Sequence, residues 1–192
     1  MERVRKSKAK PTLESIFFVT PEQRLLRFLV SESTSSFTPR VLSSKLKGVR
    51  GLGGADGISR ILKLLQEVGM VSFVNNNQAV MCQNDSVYIR ALKTFSALCD
   101  LEGLQLQLEP LSTKGVLYGS RANGTSRTDS NYDLFIVTDT PDEVTRIVEG
   151  HPLGKRLGLE TMTLDDYLQI ESKQPEFAKK LAKGIVMWGS SW

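Results

Sequence analysis

The chain has 192 residues, of which 40% are hydrophobic and 24% charged, a composition that suffices for one compact domain or two small ones and excludes a disordered chain. No window approaches the roughly 20 apolar residues that a membrane span needs. The basic N-terminal residues are not followed by the apolar segment of a secretory signal. We therefore expect a soluble cytoplasmic protein with no membrane partner.

The net charge of +4 conceals two halves of opposite sign. Residues 1–100 contain 15 Lys and Arg against 8 Asp and Glu, whereas residues 101–192 contain 10 against 13, so the halves carry +7 and −3. A basic half favours a nucleic-acid partner, although solvated surface charge is the alternative explanation. The acidic half is suited to binding cations.

Cysteine and histidine usage limits the kinds of metal site. Cys82 and Cys99 are too few for a disulfide framework and lack the paired spacing of a zinc site, so we expect both to be reduced and buried. The single histidine, His151, excludes a multi-histidine centre, and its position before Pro152 in an expected turn argues against a serine triad. Any metal chemistry must use carboxylates, which favour Mg²⁺ or Mn²⁺.

Helix-start signals recur after a basic arm at residues 1–14. Thr20 and Pro21 predict a first helix, and Thr38 with the proline that follows it predicts a second, short one. A glycine-rich connector at residues 48–55 precedes a third helix, for which Asp56 is the expected N-cap and Gly69 the terminator. Apolar residues at helical spacing mark the buried faces of these helices: Leu25, Phe28 and Leu29; Leu42 and Leu46; Ile58, Ile61, Leu62 and Leu65.

A predicted hairpin completes the N-terminal half. Residues 70–74 and 78–82 alternate as strands around a turn of three asparagines. Three helices followed by a hairpin resemble the winged helix-turn-helix of bacterial and archaeal transcription regulators, over residues 15–86. The resemblance implies that the third helix enters the major groove of DNA, with Ser59, Arg60 and Lys63 as candidate contacts. The connector before that helix is longer than in a tight helix-turn-helix, and a structural or dimerising winged helix is the alternative.

Residues 87–109 predict a connecting helix that ends near Gly103. Its Leu92, Phe95 and Leu98 offer a seam for a homodimer. Residues 110–192 then alternate strands and helices, which predicts an α/β domain. The expected strands are 115–118, 134–137, 157–162 and 185–188, and the expected helices are 141–149, 164–170 and 175–183.

Residues 116–137, V-L-Y-G-S-R-A-N-G-T-S-R-T-D-S-N-Y-D-L-F-I-V, contain the most informative motif of the chain. An apolar strand ending in Gly-Ser, a loop, and an acidic residue entering a second strand resemble the signature of the minimal nucleotidyltransferases of the DNA polymerase beta superfamily. The resemblance implies a small mixed-sheet nucleotidyltransferase domain over 110–192, a nucleoside triphosphate as substrate, and Mg²⁺ or Mn²⁺ as cofactor. It assigns nucleotide binding to four residues: Gly119, Ser120, Arg121 and Ser130.

The catalytic and metal-binding candidates are Asn131, Asp133 and Glu160. Residues 131 and 133 lie two apart on a strand, so both side chains face the same way and can share a cation. The family has an acid where this chain has Asn131, and an amide ligates Mg²⁺ without contributing charge. Asp129 is a weak substitute, since it is expected in a loop. Glu160 is the candidate for the third carboxylate, whereas Asp165 and Asp166 are explained by a capped helix start.

Two functions follow from this pattern. The first is an enzyme that transfers a nucleoside monophosphate from a triphosphate to an unknown acceptor. The second is a catalytically impaired domain that senses nucleotide or binds a partner within a DNA-binding transcription regulator. No role is expected for Lys179, Lys180 and Lys183, whose spacing is typical of the solvent-exposed face of a helix.

Overall fold

The computed structural model describes residues 10–190 and has a mixed α/β architecture. Residues 1–9 of the predicted basic arm lie outside this range. The elements in chain order are α1 (Leu13–Phe17), α2 (Pro21–Ser31), α3 (Pro39–Lys45), α4 (Gly54–Glu67), β1 (Val71–Val74), β2 (Ala79–Cys82), α5 (Val87–Leu108), β3 (Lys114–Tyr118), α6 (Gly119–Ala122), β4 (Tyr132–Val137), α7 (Pro141–Gly150), β5 (Leu157–Met162), α8 (Leu164–Leu168), α9 (Ile170–Lys173), α10 (Pro175–Ala182) and β6 (Ile185–Trp188). Of the helices in this range, none combines the length and apolar character that crossing a bilayer requires.

Local capping explains where the first helices begin. The side chain of Thr20 accepts a hydrogen bond from the backbone of Gln23, whose own side chain bonds back to Thr20, and Thr38 caps α3 in the same position. The start of α4 corrects our expectation, because its N-cap is Gly53 and Asp56 lies in the first turn. Gly53 has φ 68°, a left-handed conformation that favours glycine, so the chain enters the helix earlier than Asp56.

The N-terminal half has its own hydrophobic core. Residues from α2, α3 and α4 pack with the hairpin β1–β2, which is antiparallel with Val71 opposite Cys82. The turn between the strands takes positive φ at all three asparagines, a conformation that asparagine tolerates better than most residues. Fully buried members of this core include Leu25, Leu42, Ile58, Leu62, Val80 and Ile89.

Helix α5 belongs to both halves of the molecule. Ile89 near its start is buried in the N-terminal core, whereas Leu101, Leu104 and Leu108 are buried in the second core. The helix passes through Gly103 instead of ending there, because the burial of the two leucines beyond it outweighs the roughly 1 kcal/mol that a mid-helix glycine costs.

The proposed dimer seam on α5 is in contact with the same chain. Leu92 packs against the N-terminal core and Leu98 against the second core. The ring of Phe95 lies 5.1 Å from that of Phe17 in α1 and 6.0 Å from that of Phe18. Helix α1, which the sequence pattern did not predict, therefore covers part of this surface.

The C-terminal half is a four-stranded sheet in the order β5-β4-β3-β6. β4 pairs in parallel with β5, while β3 pairs antiparallel with β4 and β6. Helices α5 and α7 cover one face, which contains Leu117, Leu134 and Ile136. The segment α8–α10 covers the other face through Ile170, Phe177 and Leu181, which pack on Val116, Phe135 and Val137.

Polar contacts tie the two halves together. The ammonium of Lys93 donates to Asn84 Oδ1 and to the carbonyl of Ser126, both at 2.7 Å, and it is 4% exposed. The hydroxyls of Thr34 and Thr128 lie 2.9 Å apart. The loop between α6 and β4 is thus attached to the N-terminal half as well as to α5.

Candidate functional site

The carboxylate of Asp133 lies between two glycines. Strand register places Asp133 beside Tyr118 on β3 and beside Gly158 on β5. Gly119, at the start of α6, has φ 71°, and a Cβ built there would overlap Asp133 Oδ2. A Cβ at Gly158 would lie 3.3 Å from Oδ1. Any side chain at position 119 would therefore displace the carboxylate.

Glu160 lies on the same face of the sheet as Asp133. On β5, Glu160 is opposite Phe135 of β4, and Gly158 is opposite Asp133. Residues two apart on a strand point to the same face, so Glu160 and Asp133 share one. Burial raises the pKa of Tyr118, and the negative charges of Asp133 and Glu160 raise it further. Both acids therefore act on the same phenol, although Glu160 is exposed and lines an adjacent cavity of about 670 Å³.

Two lysines complete a cavity of about 390 Å³ around Asp133. Its lining consists of Tyr118, Gly119, Asn123, Asp133, Lys180 and Lys183. Lys180 lies on α10 and Lys183 is the C-cap of that helix, which packs across this face of the sheet. Two lysines and one carboxylate thus line the same cavity, an arrangement that suits a polyanionic ligand. The sequence pattern assigned no role to these lysines, because only the packing of α10 brings them to the cavity of Asp133.

The residues near Asp133 provide few metal ligands. Asn131 is exposed and lies one residue before β4. Asp129 is in a turn, its side chain is 88% exposed, and its partner is Arg127 at 4.0 Å, so it does not substitute for a strand acid. In the part of the chain that the structure describes, no group of three or more His, Cys, Asp or Glu side chains is placed to hold a metal. This donor set fits one hard cation better than two.

Arg121 and Ser130 do not lie in the cavity of Asp133. Arg121 is 8% exposed, and its guanidinium stacks 4.2 Å from the ring centroid of Tyr132, which belongs to the opposite face of the sheet. Arg121 Nη2 donates to the carbonyl of Ser130 at 2.8 Å, and Ser130 Oγ accepts from the backbone of Arg127. Both residues shape the loop that precedes β4. Ser120 is half-buried in α6, and its carbonyl accepts from Thr125.

The candidate DNA contacts lie on α4. Arg60 and Lys63 are exposed, whereas the hydroxyl of Ser59 donates to the carbonyl of Ala55 at 2.8 Å within the helix. The same face of α4 also exposes Asp56 and Glu67, so its charges balance, and Leu64, 58% exposed, adds an apolar side chain. Ser59 therefore has a local partner, and Arg60 and Lys63 are the two candidates whose side chains are exposed to solvent.

The remaining sequence candidates have structural roles. Cys82 and Cys99 are buried free thiols, and burial raises the pKa of each to about 11. His151 Nδ1 accepts a hydrogen bond from the backbone of Leu153. Asp166 lies in the first turn of α8, where its backbone donates to the capping hydroxyl of Thr163.

Comparison of the chain with models of protein families and with curated protein sequences found no match. The support for a function therefore comes from the fold and from the positions of these side chains.

Proposed function

We propose that the C-terminal half binds a nucleoside triphosphate in the 390 Å³ cavity, as a nucleotidyltransferase-type domain. In the same proposal the N-terminal half is a winged helix that binds duplex DNA. The observation that carries the proposal is the position of Asp133, which lies against Gly119 and shares its cavity with Lys180 and Lys183. A nucleotide regulator of DNA binding is the function that this arrangement supports best.

The turn at Gly119 supports a phosphate site. Because position 119 lacks a side chain, the Asp133 carboxylate lies directly against the backbone at the start of α6, where a divalent ion that carries phosphates would meet it. Lys180 and Lys183 supply compact positive charges of the kind that bind phosphates. A triphosphate therefore meets two cations and, through a divalent ion, one carboxylate.

One divalent cation fits the acids that are present. Asp133 would hold Mg²⁺ or Mn²⁺ together with the phosphates, and the ion would offset charge repulsion between carboxylate and triphosphate. Glu160, on the same face of the sheet but in the lining of the 670 Å³ cavity, is the candidate for a further ligand. Asn131 adds no negative charge where two cations, about 3.5–4 Å apart, would repel each other. We therefore expect slow nucleotidyl transfer at most.

Active nucleotidyl transfer is the second candidate function. It is favoured by Glu160, which shares a sheet face with Asp133 as a third carboxylate would. The neutral side chain of Asn131 weighs against nucleotidyl transfer, because a negative charge at that position matters most for holding a second cation.

The N-terminal proposal is supported by the order of elements and by two exposed basic side chains. Three helices, α2 to α4, precede an antiparallel hairpin, and α4 carries exposed Arg60 and Lys63. These side chains suit contacts with a phosphate backbone.

Calorimetry of the full chain with ATP, GTP, CTP and UTP in Mg²⁺ tests nucleotide binding. Replacing Lys180 and Lys183 by alanine together should weaken binding by about tenfold or more, because each removes a charge-assisted contact. Lys179→Ala is the matched control, since Lys179 is on the same helix, is exposed, and pairs with Glu176 at 2.8 Å. The proposal fails if none of the four nucleotides binds, or if the control weakens binding as much as the double variant.

A further inference from the structure

A second cavity, of about 750 Å³, is lined by residues of both halves. Four arginines contribute to it: Arg24 and Arg27 of α2, Arg121 of α6, and Arg156, which directly precedes β5. We call it the arginine cavity. None of these four side chains lines the cavity of Asp133.

The arginine cavity carries more positive than negative charge. Arg27 is neutralised inside the protein, since it bonds Glu14 at 3.1 Å and Asp100 at 2.5 Å. The other three arginines face one further carboxylate among the lining residues, that of Glu32. The cavity therefore suits an anionic ligand.

One buried donor in the arginine cavity lacks a partner. Arg121 is 8% exposed, and its Nε has no hydrogen-bond partner within residues 10–190. Buried charged donors are almost always bonded, because an unpaired one costs free energy. Burial lowers the pKa of Arg121, and the positive charges of Arg156 and Arg27 act in the same direction. Nε itself is sealed from solvent, so an anion in the arginine cavity would act on the charge repulsion among these guanidinium groups and would not bond Nε.

The walls of the arginine cavity are partly apolar. Phe18, Phe28, Leu46 and Val49 line it from the N-terminal half, and Leu153 lines it from the C-terminal half. Its volume is in the range of pockets that hold small organic molecules. We infer that the arginine cavity binds a small organic phosphate of nucleoside monophosphate size, with arginines at the phosphate and the apolar wall against the organic part.

Such a ligand would connect the two halves. Arg156 Nη2 donates to the carbonyls of Thr128 and Ser130, at 2.6 and 3.0 Å, in the loop that leads to Asn131. Arg24 belongs to the N-terminal half and has one hydrogen bond within the described chain, from its Nε to the carbonyl of Phe18. The ligand would thus contact α2 and the loop before β4 at once, independently of any nucleotide at Asp133.

Calorimetry with AMP on the full chain, in EDTA, tests the inference. EDTA removes the divalent ion that nucleotide binding at Asp133 would use. Arg24→Gln should weaken AMP binding by about tenfold, as expected for the loss of a charge-assisted contact. Arg24→Lys should fall between this variant and the wild type. Arg24 is exposed, so both variants are expected to fold, which thermal unfolding verifies.

Two controls and one further ligand make the test decisive. Arg40→Gln removes an equal charge from an exposed residue outside the arginine cavity and should leave AMP affinity unchanged. Lys180→Ala should also leave it unchanged, whereas loss of AMP binding there would place AMP at Asp133 and overturn the inference. Absence of AMP binding, or equal effects of Arg24→Gln and Arg40→Gln, would overturn it as well. Inorganic phosphate should bind at least about tenfold more weakly than AMP, and equal affinity would refute the role of the apolar wall.

Discussion

Replacing Gly119 by alanine is expected to have two effects, a loss of stability and weaker binding of nucleotide. The φ of 71° at this position costs an alanine about 1–2 kcal/mol, and the lower entropy of the unfolded chain returns about 0.4–1 kcal/mol. The net loss of unfolding free energy is therefore about 1 kcal/mol, which lowers Tm by about 2–4 °C in a chain of this length. The added Cβ also overlaps Asp133 Oδ2, so the carboxylate must rotate away from its place between the glycines.

Gly69→Ala is a matched control for the backbone effect. Gly69 has φ 70°, and a Cβ built there meets nothing within 4 Å. In thermal unfolding, both variants should lose about 1 kcal/mol from the backbone conformation, and any further loss in Gly119→Ala measures the displacement of the Asp133 carboxylate. Only Gly119→Ala should weaken binding of nucleoside triphosphate with Mg²⁺, by about tenfold or more, in calorimetry on the full chain. Equal nucleotide affinity of Gly119→Ala and wild type would refute the role of this turn, and so would equal weakening by the two variants.

Three further predictions concern charge. Asn131→Asp should raise Mg²⁺ affinity by about tenfold or more in calorimetry, because it places a negative charge two residues from Asp133. Combined replacement of Arg60 and Lys63 by alanine should weaken duplex DNA binding in gel retardation and reduce the slope of log affinity against log salt by up to about 1.8. Stability in urea should fall as pH rises from about 9 to 11, because the buried thiols of Cys82 and Cys99 have pKa values raised to about 11 and the unfolded chain ionises first.

Each of these predictions has a matched control. Asn76→Asp adds the same charge at the exposed hairpin turn and should leave Mg²⁺ affinity unchanged. Alanine at Arg146 and Lys179 removes two exposed charges away from α4, so an equal loss of DNA binding would point to unspecific electrostatics. Replacing both cysteines by alanine should flatten the alkaline stability profile, and an unchanged slope would contradict the thiol explanation.

Local signals predicted most of the secondary structure. Capping threonines before prolines marked the starts of α2 and α3, and alternation marked the bounds of β5. These features depend on neighbours along the chain, so a single sequence contains them. Helix α1 was missed because Leu13, Ile16 and Phe17 repeat the helical spacing for a little more than one turn only, and its capping pair, Thr12 and Ser15, is a weak signal on its own.

The candidate site was predicted only in part, because tertiary packing decides which side chains meet. The resemblance to the nucleotidyltransferases suggested Glu160 beside Asp133, and the register of β4 with β5 places both on one face. Alternation alone paired Asp133 with Asn131, which lies just outside the strand. Lys180 and Lys183 reach that face through the docking of α10, which no local pattern encodes. Arg121 follows the Gly-Ser motif directly, yet it is buried against Tyr132 on the other side of the sheet.

Because α5 contributes residues to both cores, the chain cannot be divided within this helix into two fragments that each keep a complete core. A fragment that ends at residue 100 would lose Leu101, Leu104 and Leu108 and leave Ala97 without the core that buries it. A fragment that begins there would lack Lys93, whose ammonium holds the carbonyl of Ser126. Because one rigid helix serves both cores, we expect the chain to unfold in a single cooperative transition. A hybrid protein that borrows either half would need to carry the whole helix with it.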